Sequence, residues 1–201
     1  MRRLAVCLVC LCSIVAVPAR AIPLSYFPTE LTPLDPGGVL DKVDVYISGK
    51  EPYNTYFLQV AVVGGTMAVA DALTSQFGQA LGAVAGEAVG TDPAQWPDVL
   101  KKLPDEADKP DEMELLRKRG HQLEAVIDPV VRAVEQMPGL AAQGADLVTR
   151  APQDYTGLRG RLKLVGVMNA LRKSGGQMGG AVMDSKRTLE NLRAIVSAMP
   201  R

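Results

Sequence analysis

Apolar positions recur at helical spacing through most of the second half of the chain. Leu123, Ile127, Val130, Val134 and Met137 follow one another at steps of four and three, which predicts a helix with one apolar seam. Pro129 falls inside that seam and is expected to kink the helix or end its first part. Residues 140–150 read as a short amphipathic piece closed by Ala151-Pro152, and Tyr155 to Lys173 as a further helix. Gly175-Gly176 and Gly179-Gly180 are expected to separate it from a last helix. In that last helix Met178, Val182, Leu189, Leu192, Val196 and Met199 make a heptad-like seam, with Ser185 as its one polar member. The pattern favours an antiparallel helical hairpin within a bundle.

The middle of the chain has a different rhythm. Thr66, Ala70, Thr74, Gly78, Gly82, Gly86 and Gly90 stand at every fourth position, so on one helix they form a stripe of small side chains. Each interior glycine costs about 0.8–1 kcal/mol against alanine, and close approach of a second backbone is the compensation that small-xxx-small faces offer. These seven residues are therefore expected to form a helix contact. The stripe drifts by about 40° per step, so a single straight partner can cover only part of it. Thr55 to Gly90 is apolar enough to raise the question of a membrane span. Gln59, Asp71, Gln76, Gln79 and Glu87 interrupt it, and a central Asp weighs against constitutive insertion.

The first third is proline-rich. Pro23, Pro28, Pro33 and Pro36, followed by Gly37-Gly38, leave no room for a helix. The expectation for residues 22–42 is an extended arm, held in a groove on the helices by Leu24, Tyr26, Phe27, Leu31 and Leu34. Val43, Val45 and Ile47 alternate with their neighbours, so residues 43–63 read either as a short hairpin or as strand followed by the start of a long helix; segment length favours the helix. Thr91-Asp92-Pro93 is a start signal for a short helix to Leu103 anchored by Trp96, and residues 104–112 read as a charged, proline-bounded linker.

Residues 1–21 have the pattern of a cleavable secretory signal: Arg2-Arg3, an apolar run from Leu4 to Val17, and the small-x-small step Ala19-Arg20-Ala21. All three cysteines, Cys7, Cys10 and Cys12, lie inside it, which leaves residues 22–201 without a thiol or a disulfide.

Charge is split along the remainder. Residues 22–114 hold 5 basic and 15 acidic side chains, residues 115–201 hold 14 basic and 7 acidic. Such halves complement each other within the fold or between copies, or else the basic half meets anionic lipid or an acidic partner. Arg159, Arg161, Lys163, Arg172, Lys173, Lys186 and Arg187 are the candidate docking residues. Nucleic acid is disfavoured, because no finger, basic-zipper or RNA-binding aromatic pattern is present.

Signatures of catalysis are missing. The single histidine, His121, follows a basic run and has no partner with which to build a zinc site. There is no P-loop, dinucleotide fingerprint, GxSxG elbow or SxxK pair. The sequence points to no catalytic residue, metal, cofactor or small-molecule substrate. With aromatic residues at 4%, the core must come from Ala, Val, Leu and Met, which suits close-packed helices. The expected fold is mainly α, a bundle of about four to six helices with the proline-rich arm and at most one short hairpin. The expected role is that of an exported, non-catalytic interaction protein of the cell envelope, periplasmic or secreted, binding itself, another envelope protein or the membrane surface. A membrane-active protein inserting the glycine-striped helix, and an exported inhibitor or immunity-type binder, are the alternatives.

Overall fold

A computed structural model describes residues 20–86, 89–90, 92–103 and 109–199; most of the expected signal segment, residues 1–19, lies outside them. The first long helix, α1, spans Glu51–Ala85. Pro52 sits in its first turn, where a missing N–H costs nothing and the fixed φ helps initiation. Asn54 accepts hydrogen bonds from the Ser48 backbone and hydroxyl, both at 2.8 Å, which fastens the preceding turn. At the other end Gly86 takes φ +73° and donates to the Gly82 carbonyl, a left-handed stop that glycine accepts without strain. Lys109 Nζ, 3.0 Å from both the Ala83 and Val84 carbonyls, adds a positive charge at that terminus.

A five-residue helix, α2, covers Trp96–Leu100, and two long helices follow: α3, Pro110–Asp154, and α4, Gly157–Ala198. At 1.5 Å per residue these three long rods are roughly 50, 67 and 63 Å in length. Tyr53 near the start of α1 bonds Asp154 at the end of α3, and Gly120 near the start of α3 meets Met199 just past α4. Hence α3 is antiparallel to both neighbours, and α1 and α4 run parallel. Most interhelical packing lies along the α1–α3 and α3–α4 seams; α1 and α4 touch little.

The core is aliphatic along the rods and aromatic at one end. Leu116, Leu123, Val126, Val130, Met137, Leu147 and Ala151 of α3 are buried against Val63, Val69, Leu73, Phe77 and Leu81 of α1 and Val167, Leu171, Leu192 and Ile195 of α4. At the α3–α4 turn Tyr53 and Tyr155 meet edge to face at 5.2 Å, as do Tyr46 and Phe57.

Several expectations are corrected. Pro129, Pro138 and Pro152 neither end α3 nor divide it, so residues 140–150 are not a separate piece. An unbroken line of buried side chains on both flanks holds the helix through each missing N–H, the usual case of tertiary packing outweighing local propensity. The glycine pairs at 175–176 and 179–180 do not separate two helices either: they lie inside α4, and the hairpin turns instead at Tyr155–Gly157, where Gly157 has φ +72°. Helix α3 begins at Pro110, so the linker expected over 104–112 is shorter at its end; residues 104–108 lie outside the described part.

Of the arm, Ile22, Phe27, Leu31 and Leu40 are buried in the core while Leu24 and Tyr26 stay exposed. Three turns of 3-10 helix shape it rather than a fully extended course. No hairpin forms over 43–63. The strand Asp44–Val45 (β2) pairs antiparallel with Arg20–Ala21 (β1), with Arg20 opposite Val45, and the Ile22 N–H donates to the Val43 carbonyl at 3.1 Å.

Candidate functional site

The glycine stripe is shared between a helix, its cap and a loop. Thr66 and Ala70 are buried on α1; Thr74, Gly78 and Gly82 follow at half-buried positions. Gly86 is the cap residue and Gly90 lies beyond the helix, so the stripe ends two members short of the seven. Its clearest close approach is to one indole rather than to a long helix. A Cβ on Gly78 would lie 2.6 Å from Trp96 Cη2, and Trp96 Nε1 donates to the Gly90 carbonyl at 2.8 Å. The Trp96 ring also stacks at a tilt on Phe77, centroids 5.9 Å apart.

Other glycines divide into two kinds. Gly65 accommodates Phe27, Gly144 the Tyr56 hydroxyl, Gly166 the Tyr46 hydroxyl and Gly120 the Met199 side chain. Gly64, Gly139, Gly175, Gly176, Gly179 and Gly180, all inside the long helices, have no atom within 4 Å of the place a Cβ would take. Six interior glycines without a packing reason cost these helices roughly 5–6 kcal/mol in total against alanine.

All seven basic candidates lie exposed on α4. Between Gly157 and Met183 the helix carries Arg159, Arg161, Lys163, Arg172 and Lys173 and no acidic residue at all. Arg159, Arg161, Arg172, Lys173 and Lys186 have no acidic partner within 4 Å among the described residues. Arg187 stands 3.9 Å from Asp184, and Lys163 leans back toward Gly49. The same helix exposes large apolar side chains: Leu158 (81%), Leu162 (43%), Val165 (60%) and Met183 (77%). At 100° per residue these four fall within a sector of about 60° on the side away from α3, with Arg161, Arg172 and Lys186 along one border and Lys173 along the other. The i, i+4, i+7 spacing of Leu158, Leu162 and Val165 in an acid-free stretch was the sequence signal for this face, concealed by reading the glycine pairs as a break.

A second feature lies between the parallel helices. Because α1 and α4 both pack on α3 and diverge from one another, a groove of about 870 Å³ opens between them. Phe57, Val60, Ala61 and Met67 form one wall, Ala170, Met178 and Ala181 the other, and Met137 lies on the α3 side. Gly64 faces it from α1, Gly176 and Gly180 from α4. One end carries Asp71, Ser185 and Thr188. Ser174, also lining it, donates to the Leu171 carbonyl at 3.1 Å or to the Tyr56 hydroxyl at 3.2 Å. Ser185 is 4% exposed and has no hydrogen-bond partner among the described residues. The walls strip part of the hydration from Asp71 and push its carboxyl above the usual range.

His121 is exposed, 3.6 Å from Glu124. Among the described residues no three His, Asp or Glu side chains gather as a metal site. No known protein family, curated protein or solved structure matches this chain.

Proposed function

We propose that the protein is an exported, non-catalytic helical component of the cell envelope that docks on anionic membrane surfaces through the outer face of α4. The observation that carries this reading is the coincidence on one helix of exposed Leu158, Leu162, Val165 and Met183 with unpaired Arg161, Arg172, Lys173 and Lys186. Basic residues near an anionic surface contribute about 1 kcal/mol each. Four of them with three or four partly inserted apolar side chains give reversible adsorption in the manner of an interfacial helix. Export rests on the leader-like residues 1–21.

Insertion of α1 is the weaker membrane reading. It is the one described helix long and apolar enough to cross a bilayer, but Val63, Val69, Leu73, Phe77 and Leu81 are already committed to the core. Spanning would expose the matching face of α3 and bring Asp71 into hydrocarbon.

Flotation of residues 22–201 with vesicles of anionic or purely zwitterionic lipid tests the proposal. Binding to the anionic vesicles alone, lost in high salt and weakened at least tenfold by the double change Arg161→Glu and Arg172→Glu, is the expected result. Absence of flotation in low salt overturns it, and binding that resists salt transfers the role to α1.

A further inference from the structure

The groove between α1 and α4 has the dimensions and chemistry of a lipid-chain site. We infer that it holds one alkyl chain of about 16 carbons whose head is uncharged and hydroxyl-bearing, as in a glycerol monoester. From Phe57 to Asp71 the α1 wall rises roughly 21 Å, and an extended chain of 16 carbons, at about 1.25 Å per bond projected on its axis, reaches about 19 Å. The volume of about 870 Å³ falls within the range of small-ligand clefts.

Both walls are kept low by glycine where the chain's own packing does not require it: a Cβ at Gly64, Gly176 or Gly180 would meet no atom within 4 Å, and a longer side chain there would stand in the groove. Methionines 67, 137 and 178 supply unbranched, adaptable surface to an alkyl chain. The second, independent observation fixes the head. Ser185 is buried, lines the groove and has no hydrogen-bond partner among the described residues, so a hydroxyl placed there exchanges a hydrogen bond that those residues leave open. Asp71 beside it accepts from a second hydroxyl. A carboxylate or phosphate head at that end would instead face Asp71 and Asp184, while Lys173, the one cation of the lining, stands 12 residues back along α4, about 18 Å away; a head beside Ser185 is therefore a polyol rather than an anion.

Lys173 borders both the groove and the basic face of α4, but the site does not depend on membrane docking. Displacement of a fluorescent acyl probe from the soluble chain by monopalmitoylglycerol below its aggregation concentration is the test, with palmitate as the competing head group. The expected result is one equivalent bound, with palmitate at least tenfold weaker. Gly64→Leu, and separately Gly180→Leu from the opposite wall, should abolish binding without lowering the melting temperature, since neither Cβ meets a neighbour and both positions are exposed. Ser185→Ala should weaken the monoester several-fold to tenfold. No displacement from the wild type, or binding by both glycine variants equal to it, overturns the site; equal affinity for palmitate overturns the head-group assignment.

Discussion

Gly64 and Gly78 lie four turns apart on the same helix, and one substitution should have opposite signs at the two. Alanine in place of either gains about 1 kcal/mol of helix propensity. At Gly64 the added methyl meets nothing within 4 Å, so that gain is kept. At Gly78 it would lie 2.6 and 2.7 Å from two atoms of the Trp96 indole. The ring cannot slide away cheaply, because its Nε1 is bonded to Gly90, its face rests on Phe77 and only 5% of it is exposed. Overpacking of this kind costs about 1–3 kcal/mol, which leaves Gly78→Ala destabilised by about 1 kcal/mol. The two variants then differ by about 2 kcal/mol, or roughly 4–8 °C in melting temperature for a domain of this size. Circular dichroism gives the midpoints. Fluorescence adds a local reading, since Trp96 is the chain's single tryptophan: its emission should shift to the red in Gly78→Ala and remain unchanged in Gly64→Ala. A melting temperature raised equally in both would refute the seating of Trp96 on the stripe.

Two further outcomes follow from the long helices. The Tyr53 hydroxyl donates to Asp154 at 2.7 Å, and burial together with that bond holds its pKa well above 10. The folded state thus keeps the proton after the unfolded chain begins to lose it, and stability falls as pH rises beyond 10. Tyr53→Phe should cost about 1.5 kcal/mol at pH 7 and make the alkaline decline shallower in urea titrations repeated from pH 8 to 11; an unchanged slope would disprove the assignment. Pro138 is exposed inside α3 and withholds one helix N–H, so Pro138→Ala should raise the urea midpoint by an amount equivalent to about 1–3 kcal/mol, and a lowered midpoint would show that the ring contributes to packing.

Helix identity was legible wherever a seam repeated, and boundaries were legible wherever a local signal had no competitor. Pro52 opens α1 and Gly86 closes it by local chemistry alone. Pro129 and the glycine pairs of α4 are local breakers too, yet they are overruled, because α3 and α4 bury one another along their whole length and a single-sequence reading has no measure of that partner. The pairing of β2 with Arg20–Ala21 was hidden for a related reason: two residues of strand carry no periodicity. The seven basic candidates were found individually, but the apolar face they border became visible only once α4 was continuous. The groove had no sequence signal beyond Ser185, a polar residue in an otherwise apolar seam.

Helix α3 is the only long helix with two extensive long-helix neighbours, and this arrangement divides the molecule's cooperativity unevenly. An opening of α1 leaves the α3–α4 hairpin with its seam closed, and an opening of α4 leaves α1 on α3, so each outer rod can fluctuate on its own account. Amide protons in the middle of α3 have no such partial route to solvent. They exchange only when both seams part, which makes the proline-bearing helix, the least regular by composition, the slowest clock in the protein.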